Sequence, residues 1–530
     1  MTETVDPGVP PHEGSTLLSL LLAMAMFVLV IDTSLMNVSI AAVVEDLDTT
    51  VSGVQSAIAL EALVSAAFIL ISSKVGDLIG RRRAYVVGLL AYGVGAVAMT
   101  LAQDLRTIVV FWAIVGGIGA SLLLPAMQAL IHGNFSGTAQ AGTYALVGAA
   151  AAIAAAIGPL LGGVITTYLS WRVGFLLEAV IIVVVLVGIR LVQDVPYTGP
   201  RTIDGVGAVL SVFGMGGVVL AILVWQEGGE AVGALFLIGA VSLGGFVWWL
   251  LRRERAGRAT LLDPDLFRSR HFRTGISGQT LQQLTLGGAM IALPIYFQMV
   301  LEYDALGSGL SLAPLSLSMF GAALVAGRRA GRRRPSVRIL AGFVGVVIGF
   351  GVLIPLVPRA VSGWWFVLPL AIAGCGLGLL VSQLNNYTLA PIEEERISEA
   401  AGVNSAGGSF GLSLGLALAG GIMLATLAFA FTDLAESSTV LPPSQQQQVA
   451  EVLEDDAQVM RNSDLAALLV DEPPEVRQEI LDINSEARHL ALQVALAVPL
   501  LAGLLGVLNA VRMVRAGDVE PVAEAAPGLL

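Results

Sequence analysis

The sequence has little charge and very little cysteine, lysine or histidine. Only 13% of the 530 residues are Asp, Glu, Lys or Arg, and the chain holds one cysteine, Cys375, one lysine, Lys74, and four histidines. Soluble domains carry about 25% charged residues. One cysteine excludes a disulfide framework and a multi-cysteine metal site, and the histidines are too scattered to form a metal-ligand motif. The composition therefore argues against a soluble protein and against a metalloprotein.

Apolar residues and glycine take the place of the missing polar ones. Hydrophobic residues make up 56% of the chain, its mean hydropathy is +0.82, and it has 61 glycines. A water-soluble core could not bury this much apolar surface, so the sequence predicts an all-α membrane protein whose helices face lipid. Abundant glycine fits this fold class because small residues let membrane helices approach closely.

Apolar stretches of about 20 residues are long enough to cross a bilayer as helices. The sequence contains fourteen of them, which end at charge clusters or at Gly and Pro. The predicted spans are 17–42, 53–73, 84–102, 108–131, 142–168, 173–194, 205–225, 233–251, 275–300, 308–327, 337–357, 364–386, 400–431 and 488–512.

The positive charges predict the orientation of these spans. With the N-terminus in the cytoplasm, 22 Lys and Arg residues fall on the cytoplasmic side and 6 on the outer side. Cytoplasmic loops of membrane proteins carry an excess of positive charge. We therefore expect both termini in the cytoplasm, and the bias towards Ala, Gly, Val and Arg suggests the inner or plasma membrane of a bacterium.

A long polar segment, residues 432–487, falls on the outer side. It has 13 acidic residues and only two arginines, Arg461 and Arg477. Residues 449–470 within it predict a polar helix with a thin apolar stripe. The segment is either a solvated hairpin or a lid, lipid contact or partner-binding element, and the sequence leaves both open.

The fifth span carries the most specific motif. It reads Gly158-Pro159-Leu160-Leu161-Gly162-Gly163, with Gly148 before it and Trp171-Arg172 after it. Proline removes a backbone hydrogen bond and kinks the helix, and the glycines present a flat face to a neighbouring helix. The motif resembles the antiporter signature of the major facilitator superfamily, in particular of its fourteen-span drug:proton antiporter branch. A glycine face that serves only packing is the alternative interpretation.

The loop after the second span resembles the cytoplasmic-gate motif of the same superfamily. It runs from Ser73 to Arg83, and Asp77, Gly80 and Arg81 match the motif. In the family the Asp pairs with a basic residue and a facing helix end, which holds the cytoplasmic side closed. Anchoring by positive charge alone would explain the arginines but neither Asp77 nor Gly80.

The resemblance covers essentially the whole chain and implies its architecture. It implies a major facilitator fold of two six-helix bundles plus two extra central helices. It also implies a monomeric transporter that is not an enzyme, needs no cofactor beyond a proton gradient, contacts membrane lipids and binds no nucleic acid. The predicted units are a cytoplasmic tail at 1–16, a bundle at 17–194, linker helices at 195–258, a second bundle at 259–512 with the outer insertion 432–487, and a cytoplasmic tail at 513–530.

Three carboxylates fall well inside predicted spans: Asp32 in the first, Glu61 in the second and Glu178 in the sixth. A carboxylate at membrane depth is costly, and is a functional-site hypothesis by default. Loss of water favours the protonated form, so such a group can take a proton from one side and release it to the other. The three are therefore proton-coupling candidates, and the family's first-span signature also covers Asp32. Two of them have a structural alternative: Asp32 could be capped by its neighbours, and Glu178 could pair with Arg172.

The fourth span departs from the family at one position. The antiporter branch carries an Arg there, which is linked to proton transfer beside the first-span Asp. In this sequence that position is Ala113, and the Gln that usually follows is Gly116. Asp32 therefore lacks its usual cationic neighbour, and the usual coupling mechanism does not carry over directly.

Polar and aromatic side chains within the spans predict a substrate cavity. Amides at membrane depth either join helices together or line such a cavity. The cavity candidates are Asn37, Trp112, Gln128, Gln279, Gln283, Asn385 and Asn386. Acidic groups without embedded basic ones favour a lipophilic substrate that is cationic or neutral.

These features predict a secondary transporter that exports lipophilic or cationic drug-like compounds against protons by alternating access, as in multidrug efflux and antibiotic resistance. Export of an endogenous lipid or metabolite on the same fold is the alternative. A membrane sensor or enzyme is more remote, because the sequence has no nucleophile–base cluster and no Gly-Lys-Ser/Thr phosphate loop.

Overall fold

A computed structural model shows a bundle of long helices, with no strand in the part of the chain that it describes. It describes residues 16–135, 137–192, 204–226, 229–258, 260–328, 334–360, 362–392, 396–442, 446, 462–470 and 472–518. Helices dominate because a backbone in lipid must satisfy its hydrogen bonds within the segment.

The first part of the chain forms one helical bundle. Its helices are α1 (Thr16–Val38), α2 (Ile40–Leu47), α3 (Val51–Ile79), α4 (Arg81–Leu101), a π-helix (Ile108–Gly116) that continues into α5 (Gly117–Asn134), α6 (Gly137–Tyr168) and α7 (Trp171–Val187). Helix α1 packs against α6 and α7, α3 against α5, and α4 against α5 and α7.

Two further helices, α8 (Gly205–Gln226) and α9 (Val232–Arg255), pack against each other as a hairpin. Asp204, just before α8, is buried and accepts hydrogen bonds from the Gly207 backbone N at 3.1 Å and the Trp249 indole N at 2.9 Å. Its Oδ1 also lies 3.6 Å from the guanidinium of Arg253. One buried carboxylate therefore caps α8 and ties it to α9.

The rest of the chain forms a second bundle. Its helices are α10 (Arg270–Met299), α11 (Ala305–Arg328), α12 (Pro335–Leu356), α13 (Val367–Leu389), α14 (Ile397–Ser437), α15 (Asn462–Leu468), α16 (Pro474–Ala495) and α17 (Ala497–Ala516). Helix α10 packs against α14 and α17, and α13 packs against α11 and α12. Helix α8 lies against both α3 and α14, so the hairpin bridges the two bundles on one side.

Thirteen helical segments of the described chain are long and apolar enough to cross a membrane, with α16 and α17 together forming one of them. Helix α10 is more polar and is not among them, but it has 30 residues. At 1.5 Å per residue that is about 45 Å, enough to cross a bilayer, and the chain needs this crossing to connect α9 to α11. The described helices thus confirm the predicted all-α membrane fold class with thirteen candidate spans, and α10 as a fourteenth crossing stays a prediction.

The crossings run between two faces of the molecule. We call the face at which α1 begins and α17 ends the terminal face, and the other the opposite face. The two bundles meet along two seams, α3 against α14 and α6 against α11.

The observed helices are longer than predicted at several ends. Helix α16 begins at Pro474, well before the predicted start at 488, because its first turns are polar and only one side of it is buried. Of the predicted polar helix, residues 449–461 lie outside the described residues, and Asn462–Leu468 is helical. The predicted boundary at 194 and most of both predicted tails also lie outside them, so the predicted domain limits stay predictions.

Candidate functional site

Asp32, Glu61 and Glu178 lie together inside the first bundle. Their exposed fractions are 2%, 8% and 3%, and Asp32 on α1 interacts electrostatically with Glu61 on α3 and Glu178 on α7. We call these three residues the acidic cluster. Three carboxylates in one apolar core would repel one another as anions, so their grouping is costly and makes the cluster a candidate functional site.

Two aromatic side chains hold the carboxylate of Asp32. The Tyr92 hydroxyl on α4 donates to its Oδ2 at 2.5 Å, and the Trp112 indole N lies 3.0 Å from both carboxylate oxygens. Tyr92 is also within electrostatic range of Glu61 and Glu178. In contrast, Oε1 of Glu178 is buried without a hydrogen-bond partner in the described part of the chain. Asp32 is therefore firmly positioned, while Glu178 keeps an unused acceptor.

The sequence of the fourth crossing explains this arrangement. Ile108–Gly116 is a π-helix, a rare geometry that is frequent at functional sites. Glycines follow it: a Cβ on Gly117 would lie 3.0 Å from the backbone O of Glu61, and one on Gly119 would lie 2.6 Å from the backbone N of Tyr92. Only glycine allows α3 and α4 to approach α5 this closely, so the glycines bring both side chains into the same core.

No Arg or Lys among the described residues forms an ion pair with the acidic cluster. Ala113, at the family's usual Arg position, is completely buried. Its neighbour Trp112 supplies a neutral hydrogen-bond donor to Asp32 instead. A neutral hydrogen-bond donor, Trp112, thus takes the place of the family's charged Arg beside Asp32.

The alternative in which Glu178 pairs with Arg172 is wrong. The Arg172 guanidinium forms an ion pair with Asp46, and its Nε donates to the backbone O of Ala102 at 3.2 Å. Arg172 thus joins the ends of α2 and α4 at the opposite face, because α7 begins there and not beside the acidic cluster.

The sequence did not identify Tyr92 as a site residue. It lies among apolar residues of the third span and is 4% exposed. The available signal is chemical, since a buried tyrosine hydroxyl usually finds a hydrogen-bond partner. That signal indicates that a partner exists, but only the fold shows that the partner is Asp32.

Gln298, one of the amide residues within the predicted spans, joins the bundles at the opposite face. Its Nε2 donates to the backbone O of Val38 at 3.2 Å and to Ser308 Oγ at 3.3 Å, and its Oε1 accepts from the backbone N of Ala41 at 3.2 Å. The break between α1 and α2 leaves these backbone groups without helical partners. A side chain of the second bundle therefore completes a helix break in the first.

The antiporter-motif helix α6 makes the seam with α11. A Cβ on Gly163 would lie 2.6 Å from the backbone O of Ala305, and a Cβ on Gly309 would lie 2.2 Å from the backbone O of Pro159. The two backbones touch directly, which requires glycine at both positions.

The other motif glycines differ among themselves. A Cβ on Gly158 would lie 2.6 Å from Cβ of Ser34, and one on Gly162 would lie 3.0 Å from Cα of Leu35, so both pack against α1. A Cβ on Gly148 would meet nothing within 4 Å. The end of α6 at the opposite face is thus held between α1 and α11, whereas Gly148 is outside that contact.

The α6–α11 seam opens towards the terminal face. At helical spacing, α6 passes from buried Gly163 and Ala156 through half-buried Ala152 to exposed Ala145. On α11, a Cβ on Gly321 would meet nothing within 4 Å. The two helices are therefore in contact at one face and apart at the other.

The α3–α14 seam stays closed further along its length. Ser413 Oγ donates to the backbone O of Ala59 at 2.8 Å. Two turns nearer the terminal face, Ala66 and Ala406 are still buried, with exposed fractions of 0% and 5%.

The predicted gate residues lie at the terminal face. Gly80 separates α3 from α4 with a φ of +96°, a left-handed conformation that favours glycine. Arg81 begins α4. The side chain of Asp77 lies outside the described part of the structure, so the role of the gate stays a prediction.

The predicted cavity residues of the first bundle are not all in one place. Trp112 belongs to the acidic-cluster core. Asn37 on α1 is 2% exposed, and its Oδ1 has no hydrogen-bond partner among the described residues. Gln128 on α5 is half-buried, and its backbone O accepts a hydrogen bond from Tyr144 at 3.2 Å.

The other cavity candidates are in the second bundle. Gln279 and Gln283 on α10 are half-buried, and Asn385 and Asn386 near the end of α13 are exposed. Asn404 on α14, another amide within the predicted spans, donates from Nδ2 to Oδ1 of Asn385 at 3.2 Å.

The sequence profile of the Major Facilitator Superfamily matches residues 22–416, which is more than half of the chain. The chain belongs to the major facilitator superfamily. It is therefore an integral multi-pass membrane protein of a transporter family, and its two bundles are the two halves of that fold.

Several named major facilitators are similar to this one over most of its length. The "Probable actinorhodin transporter" of Streptomyces coelicolor is 28% identical over 409 residues, covering 75% of this chain and 70% of that protein. The puromycin resistance protein pur8 of Streptomyces alboniger is 29% identical over 404 residues, covering 74% of this chain and 79% of that protein. The multidrug efflux pump LfrA of Mycolicibacterium smegmatis is 26% identical over 408 residues, covering 76% of this chain and 80% of that protein.

Solved structures of major facilitators share the fold. A bacterial homolog of the human lysosomal transporter Spinster, in an inward-facing and unoccupied conformation, matches with a TM-score of 0.63 and 13% identity, covering 97% of this chain and all of that one. The peptide transporter POT in complex with sulfate matches with a TM-score of 0.61 and 14% identity, with the same coverage. At these identities the likeness concerns the fold alone.

Proposed function

We propose that this major facilitator exports lipophilic or cationic drug-like compounds in exchange for protons, by alternating access. The observation that carries the proposal is the acidic cluster. Three buried carboxyl groups meet in the first bundle, and no described basic side chain forms an ion pair with them. The proton gradient is the only energy source in this proposal, and no cofactor is needed.

The hydrogen-bond partners of Asp32 suit a group that gains and loses a proton. An arginine beside a buried carboxylate favours the ionised form and is left uncompensated when the carboxylate is protonated. Tyr92 and Trp112 are neutral donors, so protonation of Asp32 leaves no buried positive charge without a counter-charge. This supports a proton site that works without the Arg of the family.

The two seams support alternating access. The excess of Lys and Arg at the terminal face makes it the cytoplasmic side in this proposal. The described helices are in contact at the opposite face through Gly163 and Gly309 and are apart towards the terminal face. The molecule is then in an inward-facing state, in which a cytoplasmic or membrane-dissolved compound could enter.

The names of the relatives support drug-like substrates. Relatives that align over most of the chain are named as a puromycin resistance protein and a multidrug efflux pump. A cavity near buried carboxylates favours cations or neutral compounds over anions.

The test is transport of ethidium into inverted membrane vesicles under an imposed proton gradient. Wild type should accumulate ethidium, and a protonophore should abolish accumulation. Asp32→Asn and Glu61→Gln should each reduce gradient-driven transport by at least about tenfold, since each removes a proton site. Glu230→Gln, an exposed carboxylate between α8 and α9, is the matched control and should transport as wild type does.

Two outcomes would count against the proposal in different ways. Wild-type vesicles that accumulate no drug-like probe would reject drug export and favour an endogenous lipid or metabolite. Unchanged gradient-driven transport in both variants would remove the acidic cluster as the coupling site.

A further inference from the structure

Four amide side chains lie close together in the second bundle. We call Gln279, Gln283, Asn385 and Asn404 the amide group. We propose that the amide group binds the hydrogen-bonding groups of the substrate, such as hydroxyl, amino and amide groups, and that this site is separate from the acidic cluster. The inference rests on the proposed export function and assigns substrate and proton to different bundles.

The contacts of Gly408 place the amide group on one wall. A Cβ on Gly408 would lie 3.4 Å from Nε2 of Gln279 and 3.6 Å from Cγ of Gln283. Asn404 lies one turn before Gly408 on α14, on the same side of the helix. Asn404 in turn donates to Asn385 at 3.2 Å, so three helices contribute to a continuous polar surface.

This wall is one of two partly accessible sides of α10. Gln279, Gln283, Leu286 and Met290 follow helical spacing, and all four are half-buried. The sides of α10 next to it are closed by other helices: a Cβ on Gly278 would lie 2.8 Å from Leu384 Cδ2 on α13. We interpret these four residues as a cavity wall with two amides at one end and two apolar side chains at the other.

A second face of α10 is closed by α14. A Cβ on Gly287 would lie 2.5 Å from the backbone O of Leu412, and Thr280 Oγ1 donates to the backbone O of Gly407 at 3.0 Å. Polar groups on that face are thus used for packing, which distinguishes them from Gln279 and Gln283.

Two carbonyl oxygens of the amide group lack partners. Oδ1 of Asn404 and Oε1 of Gln283 are buried and accept no hydrogen bond from any described residue, and Asn404 is only 5% exposed. A buried polar atom without a partner is costly, and such atoms in a cavity wall point to a ligand or water. Unused acceptors select a ligand that carries hydrogen-bond donors.

None of the four side chains can carry charge. The amide group therefore distinguishes substrates by their donors and acceptors, not by their charge, and it does not compete for the proton. Apolar Leu286 and Met290 beside it would contact the apolar part of the same substrate, and an unbranched Met adapts to different shapes. Proton and substrate then influence each other only through the movement of the two bundles.

The test compares two cationic probes on purified protein. Ethidium carries two amino groups that donate hydrogen bonds, whereas tetraphenylphosphonium carries no donor. Binding of ethidium is measured by fluorescence and binding of tetraphenylphosphonium by calorimetry. Gln283→Leu and Asn404→Leu should each weaken ethidium binding by about tenfold, because a site built for a hydrogen bond loses its partner, and change tetraphenylphosphonium binding by less than about twofold.

Further variants check the folding and the separation of the sites. Gln493→Leu is the matched control, because its Nε2 bonds the backbone O of Ile354 at 3.0 Å, away from the amide group. Gly408→Ala keeps every amide and adds one methyl group at ordinary contact distance from Gln279 and Gln283. It should still weaken the binding of ethidium more than the binding of tetraphenylphosphonium. Asp32→Asn should retain ethidium binding and lose its pH dependence.

The outcomes separate this inference from the proposed function. Equal losses for both probes, no loss for either probe, or no binding of ethidium to the wild type would overturn the amide group as a substrate site. Loss of ethidium binding in Asp32→Asn would show that substrate and proton share one site. If purified protein binds ethidium normally but vesicles show no gradient-driven transport, proton-coupled export is contradicted and the amide group is not.

Discussion

The two seams between the bundles are built in different ways. The α6–α11 seam is a contact between helix backbones, in which Gly163 and Gly309 leave no room for a side chain, and it separates towards the terminal face. The α3–α14 seam has a hydrogen bond between Ser413 and the backbone of Ala59, stays buried further along, and is covered by α8.

This difference suggests how the two bundles move. A flat glycine contact has few interlocked side chains, so it can part and close again at little cost. The α3–α14 seam has a hydrogen bond across it and is covered by α8, so it resists separation. We therefore expect the α6–α11 seam to open and close over a larger distance than the α3–α14 seam.

The largest effect should come from a methyl group in the glycine seam. In Gly309→Ala the new Cβ would lie 2.2 Å from the backbone O of Pro159, so the opposite face cannot close, and transport should fall by at least about tenfold. Spin labels on exposed Tyr168 and Leu310, in a chain whose Cys375 is replaced, should move apart.

The matched control for that variant lies on the same helix. A Cβ on Gly321 would meet nothing within 4 Å, so Gly321→Ala should transport as wild type does. Equal effects of the two substitutions would mean that the glycines act through helix propensity and not through the seam.

A second prediction concerns helix α8, which covers the α3–α14 seam. Asp204→Asn weakens the buried link from α8 to Arg253 and Trp249, and should lower the stability by about 2 kcal/mol. The α3–α14 seam should become more accessible to hydrogen exchange, with the α6–α11 seam unchanged. Glu254→Gln, which breaks an ion pair with exposed Arg268, should cost less than about 0.5 kcal/mol. Hydrogen exchange that rises at both seams would contradict the prediction that α8 protects only the α3–α14 seam.

A third, smaller effect is expected at the helix break. Gln298→Leu removes the bonds to Val38, Ala41 and Ser308, and should reduce transport by about threefold by making closure at the opposite face less favourable. The Tyr168–Leu310 label distance should shift partly towards the value of Gly309→Ala. An unchanged distance distribution would show that Gln298 only stabilises the second bundle.

The smallest effect is expected in the bonded seam. Ser413→Ala removes a single hydrogen bond to Ala59, which is worth about 0.6 kcal/mol between membrane helices. Transport should stay within about twofold of wild type and of Ser409→Ala, one turn away. A loss as large as that of Gly309→Ala would reverse the proposed order of the two seams.

The sequence predicted the crossings and the buried acids for the same physical reason. Long apolar stretches and carboxylates within them are local features, and lipid makes both energetically significant. This is why Asp32, Glu61 and Glu178 could be identified as a set from the printed residues.

Their partners could not be predicted, because these contacts join distant parts of the chain. Tyr92 follows Asp32 by 60 residues, and Gln298 contacts Val38 across 260 residues. Arg172 was close enough in sequence to suggest a pair with Glu178, but the start of α7 carries it to Asp46. Local spacing identifies which groups need partners, and only the packing of helices decides which partners they find.

The hairpin of α8 and α9 has a consequence for the speed of the transport cycle. Helix α8 lies on one helix of each bundle, so it must slide over at least one of them whenever the bundles rotate. Because Asp204 joins α8 to the largely exposed α9, the pair moves as one body and displaces lipid as it does so. The turnover rate should therefore fall as the bilayer becomes more viscous, and a related chain of twelve crossings, without the hairpin, should be less sensitive to the surrounding lipid.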